Sequence, residues 1–477
     1  MFPGHKDVRE RRQKPQEGRV VTDAMETSAT PPKDAAAPRM VTRSAETAFG
    51  RYPRALRTGG LVFTSGVRGG AAGAGFDDLP VEGKAKRQGY GTADQTEGEV
   101  AVSSWRAHEV LEAALADAGS ATDQILRQHV WQRDKRFFPV YEDIRKHWQP
   151  SPAPSSGLGV ADLSGAEGAW IGLDAIAVDL DAVARGAAAA FTPREVVAAP
   201  DHGAAPSASH YSQAVRSGPL LFTAGHIPIR TSAPGKPLIA GFDDLPEEGR
   251  FLATGRSHPD SRDGPIAAQS WFVYSELARL LAGAGLSLAD TVLATVYLAD
   301  LRDLAVFHRV HRHFFGDAGP ALTVIGFDEV GHRGCRIEIE LTALDPAGGL
   351  ARRAVGWPIA APLAAPAAVQ AGDFLFLSGI AAFDAAGRFV GGTVADQATQ
   401  AFGLLGQVLG HAGAGMADLA KLTVYAATAA DLPAIEAAAA AALDPAALPA
   451  LEVVLVHGPG PVPGSRVQLE AIAHRAP

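Results

Sequence analysis

The chain repeats itself three times, and a repeat constrains architecture before any single motif does. Leu61-Val-Phe-Thr-Ser-Gly66, Leu220-Leu-Phe-Thr-Ala-Gly225 and Phe374-Leu-Phe-Leu-Ser-Gly379 each read as an apolar strand closing on a small residue and a glycine. Their central phenylalanines, Phe63, Phe222 and Phe376, are offset by 159 and 154 residues. The first two copies also share a longer phrase, Gly75-Phe-Asp-Asp-Leu-Pro-Val-Glu-Gly83 and Gly241-Phe-Asp-Asp-Leu-Pro-Glu-Glu-Gly249, which chance rarely produces. Helical stretches follow at 102–118, 267–284 and 395–412; in the second, Trp271, Tyr274, Leu277, Leu280 and Leu281 recur at helical spacing and share one buried face. A β-rich run comes next (125–131, 291–298, 419–425), then a second short helix, clearest over 304–315, then two strands. Arg336-Ile-Glu-Ile-Glu340 alternates apolar and charged, as a strand with two unlike faces must. The pattern predicts three α+β units, each a mixed sheet backed by two helices, over residues 45–190, 205–346 and 358–475. Ala/Pro/Gly-rich linkers are expected near 190–205 and 345–360, after a disordered tail at 1–44.

Composition narrows the function classes. With 43 basic and 52 acidic side chains the net charge is −9, which argues against a phosphate-backbone binder and against an anionic membrane surface. The single cysteine, Cys335, excludes an internal disulfide framework and any Cys-rich metal site, and fits a reducing cytoplasm. Apolar runs such as Ile435 to Leu443 are too short for a bilayer, which takes about 20 residues. The N-terminus has no apolar h-region and does not read as a secretory signal. The glycine-rich segment 66–75 lacks the lysine and Ser/Thr of a phosphate loop and does not open a helix with dinucleotide spacing.

Tyr211-Ser-Gln-Ala-Val-Arg-Ser-Gly218, Leu220 to Pro228, Leu293-Ala-Thr-Val-Tyr-Leu-Ala-Asp-Leu301 and Arg336 to Leu344 together resemble the successive motifs of the Rid/YjgF family, the reactive intermediate deaminases. The resemblance spans about residues 50 to 475 and is loosest in the first unit. It implies chorismate-mutase-like units arranged as a trimer written on one chain: a pseudo-threefold barrel, sheets inside and helices outside, with ligand clefts between units. The molecule would then be a monomeric pseudo-trimer or a homodimer. The family's deaminases hydrolyse enamines and imines without a metal or cofactor, and hold a substrate carboxylate with an arginine on a Pro-Ala-Arg-Ser/Thr strand. Here that strand reads Pro320-Ala321-Leu322-Thr323 in unit two and Pro449-Ala450-Leu451-Glu452 in unit three, while unit one offers Pro154 or Ser155. Simple 2-imino acids are therefore expected to be poor substrates, since apolar surface replaces a charge-assisted bidentate pair.

Other positions of the family pattern survive in part. The tyrosine before the first strand matches Tyr52 and Tyr211 but is Ala365 in unit three; the serine of the Thr-Ser-Gly turn matches Ser65 and Ser378 but is Ala224 in unit two. The family's water-positioning glutamate matches Glu338, against Gly172 and Gln468 in the other units. His308 is read at a cleft asparagine's place, with Tyr141 there in unit one. Glu338 shares a strand face with Glu340, about 7 Å away, so the two repel unless a cation or a proton separates them. A solvated strand face is the bland alternative. His226, His308, His311, His313 and His332 cluster in unit two, yet no third ligand or supporting carboxylate is evident, so no metal site is assigned. Unit one concentrates Trp105, Trp131, Trp148, Trp170, Lys135 and Arg136, read either as core or as an aromatic, cationic cleft.

The candidate site is thus Glu338, Tyr211 and His308 as catalytic groups, with His226, Tyr52, Ser65, Tyr141, Ser155, Trp170 and Ser378 as substrate-binding groups. The expected activity is a hydrolase acting on a small C=N or enamine-type molecule, with no nucleic acid or membrane partner. The competing expectation is a non-catalytic small-molecule-binding or chaperone-like descendant.

Overall fold

A computed structural model describes residues 40–41, 44–84, 95–163, 166–186, 190–197, 210–231, 233–235, 237–253, 262–327 and 329–475. The first unit runs β1 (Met40–Val41), β2 (Ser44–Thr47), β3 (Gly50–Pro53), β4 (Ala55–Thr58), β5 (Leu61–Thr64), β6 (Val67–Arg68), α1 (Val81–Lys84), α2 (Gln95–Asp117), β7 (Ile125–Gln132), α3 (Phe138–Trp148), β8 (Ser155–Gly159), β9 (Ile171–Val178) and α4 (Leu180–Ala184). The second has β10 (Glu195–Val196), β11 (Ala214–Ser217), β12 (Leu220–Thr223), α5 (Asp263–Gly283), β13 (Thr291–Leu298), α6 (Leu304–Phe315), β14 (Ala321–Gly326) and β15 (Ile337–Leu344). The third has β16 (Arg352–Val355), β17 (Ala368–Ala371), β18 (Phe374–Leu377), α7 (Val394–His411), β19 (Leu419–Ala426), α8 (Leu432–Ala442), β20 (Ala450–Leu455) and β21 (Val467–His474).

The tail expected at 1–44 lies almost wholly outside the described residues; its end contributes β1, which pairs antiparallel with β4. Both expected linkers supply an edge strand, β10 against β11 and β16 against β17, so the units begin earlier than composition suggested. Glu195 and Val196 in the first and Arg352 to Val355 in the second pair through backbone bonds, which composition does not report.

The three large sheets share one order: β1-β4-β5-β9-β7-β8, β10-β11-β12-β15-β13-β14 and β16-β17-β18-β21-β19-β20. Only the last pair in each is parallel, joined through α3, α6 or α8 as a strand–helix–strand crossover. The three long strands β7, β13 and β19 are buried along their whole length, because each has one face under its own helices and the other toward the neighbouring units. On the helix side of unit two, Trp271, Tyr274, Leu277 and Leu281 of α5 pack on Ala294, Val296, Ile339 and Leu341. On the other side two apolar clusters draw from all three units. One holds Phe63, Phe222 and Phe376; the other holds Trp131, Tyr297, Phe327 and Tyr425.

Between those clusters lies a buried polar band. His129 faces Asp174 through Nδ1 (3.2 Å) and Glu340 of unit two through Nε2 (3.0 Å). Lys421 of unit three donates to Asp174 at 2.8 Å, and Arg127 lies 3.4 Å from Glu340. Strand-like bridges at the ends of the parallel strands link unit one to two (Gly159 with Glu329), two to three (Gly326 with Gly458) and three to one (Leu455 with Asp162).

Candidate functional site

Register fixes which residues are equivalent. Opposite Trp131, Tyr297 and Tyr425 stand Gly172, Glu338 and Gln468, as the repeat alignment predicts. Pairing of β7 with β8, β13 with β14 and β19 with β20 makes Ser155, Leu322 and Leu451 equivalent, so Ser155, not Pro154, holds the position of the family arginine in unit one.

A cleft of about 510 Å3 opens between units one and two. Its floor is β15: Ile337, Ile339 and Leu341 turn to the helices, and Glu338 to the other face. Gly225, just after β12, passes directly over the Glu338 carboxylate; a Cβ there would overlap Oε1. The Gly225–His226 segment is fixed to β15 by His226 N–H on Ile339 O (2.8 Å) and Ile339 N–H on His226 O (3.1 Å). The far wall is the loop 329–335, where Gly331 (φ 52°) lets a backbone N–H reach Glu338; a Cβ at Gly331 would lie 2.8 Å from Ile227 and 3.0 Å from Cys335 Sγ. Unit one supplies Ser155 from β8, Phe138 and Arg145 from α3, and Lys135 from the turn between β7 and α3; unit two also supplies Tyr211.

The two carboxylates of β15 are driven apart. Burial pushes Glu338 up to about 7, an effect that the Lys135 ammonium opposes and the neighbouring Glu340 charge reinforces. Glu340 is equally buried, but Arg127, His129 and the Ser156 hydroxyl compensate it and hold its carboxyl at about 2. The cation that separates the pair is thus on Glu340, and the proton is left to Glu338. In the same cleft burial raises the Cys335 thiol to about 11, so it stays protonated.

Ser155 Oγ accepts from Arg145 Nη1 at 3.0 Å. Arg145 is itself buried, spending its other donors on Glu142 (3.2 Å), Gln149 Oε1 (3.2 Å) and the Ala153 carbonyl (3.0 Å). The arrangement leaves the Ser155 hydroxyl proton as a donor. Glu142 in turn accepts from the backbone N–H of His210, next to Tyr211, at 2.6 Å.

Glu338, Tyr211 and Ser155 are therefore brought together, but the other expected residues are not. His226 lies beside the lining residues Gly225 and Ile227, with Nδ1 at 3.0 Å from the Ala224 carbonyl. His308 is half-buried on α6 against Phe307 and does not line this cleft. Counting from the turns that precede α3 and α6 pairs Tyr141 with Phe307 and Glu142 with His308, so His308 and Tyr141 do not share a position. Tyr141 is fully buried in the unit-one core. Ser65 and Ser378 tie units together: Ser65 Oγ donates to Pro53 O (2.5 Å) and accepts from Leu451 N–H (2.8 Å), while Ser378 Oγ does the same with Pro366 O (2.6 Å) and Leu322 N–H (2.8 Å). Tyr52 is packed into the core of unit three, where burial raises it to about 12.

Trp170 also has a structural role. Its equivalents Arg336 and Arg466 pair with Asp303 (2.6 Å) and Asp431 (2.5 Å); in unit one this ion pair becomes Trp170 edge-on to Phe137, centroids 5.6 Å apart. The aromatic cleft is not formed: Trp105 of α2 and Trp148 of α3 meet edge-on, centroids 5.0 Å apart, and Trp131 is in the shared cluster, donating to Asp174 at 2.9 Å. Of the unit-one cations, Lys135 and Arg136 do reach the cleft. Among the described residues no group of three or more His, Cys, Asp or Glu side chains is disposed to hold a metal ion.

The other two inter-unit positions are filled. Between units three and one, Gly172 has no side chain and Arg68 occupies the space, ion-paired with Glu452 and donating to Val453 O at 3.0 Å. Between units two and three, Leu301 packs against Gly326 and Gly458, and Gln468 donates to Val324 O at 3.1 Å. Sequence reasoning missed Arg145 and Cys335, and noticed Lys135 only as part of an aromatic cluster. The available signal was the turn position itself: Lys135 in unit one is Leu301 in unit two and Ala429 in unit three.

Comparison with known proteins gives a consistent picture. The profile of the endoribonuclease L-PSP family matches residues 253–345 and 359–475. A RutC family protein of Pyrococcus abyssi is 33% identical over 115 residues, covering 24% of this chain and 71% of that protein. A RutC family protein of Pyrococcus horikoshii is 31% identical over 133 residues, 28% of this chain and 85% of that protein. A crystal structure of a chorismatase aligns with 74% of this chain and 93% of its own at 15% identity, with a TM-score of 0.46. No helix among the described residues is long and apolar enough to cross a membrane.

Proposed function

The chain belongs to the endoribonuclease L-PSP family, also called Rid/YjgF, and on that premise we propose that it hydrolyses a small C=N, enamine or related unsaturated substrate in the cleft between units one and two. The observation that carries this reading is Glu338, a buried carboxylic acid poised at about 7 on an open cleft, while Glu340 beside it is fully compensated. A group titrating near working pH serves in both directions. As a carboxylate, Glu338 takes a proton from water as the oxygen adds to the C=N carbon and gives it to the nitrogen, forming a carbinolamine; it then takes the carbinolamine O–H proton as the carbonyl forms and passes it to the departing nitrogen as the C–N bond breaks. Imine and water become carbonyl and amine, and Glu338 ends as it began. Ser155 and Tyr211 hold the substrate and water from the opposite wall.

A binding-only descendant is the second reading, favoured by Ser155, Leu322 and Leu451 at the three arginine positions. We further propose that the three units close into a pseudo-threefold barrel that acts as a monomeric pseudo-trimer or a homodimer; the unit-to-unit bridges, which run one to two, two to three and three to one, support it. A nucleic-acid substrate is disfavoured by the net charge of −9.

The test is Glu338→Gln against a panel of enamines and imines generated in situ. Turnover should fall by about 10²–10⁴ with the melting temperature unchanged or raised. Undiminished turnover removes Glu338 from the mechanism, and absence of wild-type turnover across the panel favours the binding-only reading.

A further inference from the structure

We propose that Lys135 anchors an acidic group of the ligand, from a turn that carries no charge in the equivalent place of the other two units. The proposal rests on the reading of this cleft as the ligand site. Leu301 fills the corresponding space between units two and three, and Ala429 stands there in unit three; only in unit one does the first position of this turn offer a cation.

The lysine is held in place without a direct ion pair among the described residues. Its backbone N–H donates to Glu329 Oε2 of unit two at 2.9 Å, and its Nζ reaches across the cleft wall to the Gly157 carbonyl on β8 at 2.5 Å. That neutral oxygen satisfies one of three N–H donors. Among the described residues no carboxylate lies within 4 Å of Nζ, whereas Arg136 and Arg145 at the same cleft are matched by Asp134 and Glu142. The Glu338 and Glu329 carboxylates act on this half-buried ammonium only at longer range, and an anionic ligand in the cleft supplies the direct partner it lacks. Glu338 sits on the facing unit with no direct ion pair to Lys135, so the ligand fits between anchor and acid. Phe138, Val130, Ile227 and Val330 form the remaining wall and call for an apolar body on that ligand. A carboxylate and a phosphate share the chemistry.

Benzoate, phenyl phosphate and the neutral isostere benzamide separate these cases in calorimetric titrations of the full chain. At least one anion should bind saturably and at least tenfold more tightly than benzamide, and whichever anion wins identifies the acidic group. Lys135→Met should weaken the anion at least tenfold while leaving benzamide within twofold, and Lys135→Arg should keep most of the anion affinity. Should Lys135→Met not fold, Lys135→Gln answers the same question. Equal affinity for benzamide, unchanged anion affinity in Lys135→Met or Lys135→Gln, or no saturable anion binding overturns the proposal. Glu338→Gln should retain anion binding, so loss of the hydrolytic reading leaves the anchor standing, and loss of the anchor leaves Glu338 turnover to be judged separately.

Discussion

Glu338 and Glu340 lie on one face of one strand, yet their surroundings assign them opposite states. Arg127, His129 and Ser156 crowd Glu340, whereas Glu338 has a backbone N–H, the passing Gly225 backbone and a more distant lysine. The consequence is measurable as a pH profile. If Glu338 must be ionised to take a proton from water, kcat/KM should rise through an ionisation near pH 7, and Glu338→Gln should abolish that step. The groups facing it from neighbouring elements are Lys135, Glu329, His332, Arg333, Arg145 and Cys335. Of these the Lys135 ammonium favours the carboxylate, so Lys135→Met should move the ionisation to higher pH. A profile flat from pH 5 to 9 in the wild type contradicts the assignment. Stability carries the same signature: with a folded-state value raised above the ordinary carboxylate range, the contribution of Glu338 is fully present in acid and is lost as pH rises from about 4.5 through 7. Glu338→Gln should flatten that loss.

At the scale of elements, the repeat made the succession of strands and helices in each unit and the alternation along β15 legible, because period-2 alternation and a shared offset are written in residue types; the order of strands within the sheets was not. It also placed Trp170 with Arg336 and Arg466, and Ser155 with Leu322 and Leu451, once the strands were counted. Two further things were not legible. The short turns before α3 and α6 shift the helix register by one against a motif alignment, which is why His308 and Tyr141 were matched although Tyr141 and Phe307 fill the same apolar slot. And a serine in a Thr-Ser-Gly turn reads the same whether it faces a ligand or ties two chains of backbone together. Ser65 and Ser378 do the second. Ser65→Ala leaves the Leu451 N–H without its acceptor, and should lower stability by about 1–3 kcal/mol with kcat unchanged. Loss of turnover at an unchanged melting temperature would instead return Ser65 to a working cleft.

Across the whole molecule, duplication leaves one inter-unit cleft open while the equivalent positions of the others are filled. Arg68 with Glu452 and Leu301 with Gly326 and Gly458 fill two of the three positions, and the third keeps Glu338, Ser155 and Lys135 around open space. What holds the units in register is the buried band in which His129 faces Asp174 of its own unit and Glu340 of the next, while Lys421 reaches Asp174 from the third. Burial alone would lower the imidazole, but the two carboxylates outweigh it and raise His129 to about 10. Both ring nitrogens then donate, and the imidazolium joins Arg127 and Lys421 in compensating the two buried carboxylates. His129→Leu strands Glu340 and Asp174 with fewer cations, a loss of about 3–5 kcal/mol by the measure of broken buried pairs. The sign of its pH dependence follows from the raised value: the contribution of His129 is complete below about 6.5 and disappears as pH climbs toward 10. The difference in melting temperature between wild type and His129→Leu should therefore be largest at pH 6 and shrink toward pH 10, with all three units melting in one transition in the wild type. A difference independent of pH would show that the ring acts by packing alone, and that the ionic band is not what joins the units.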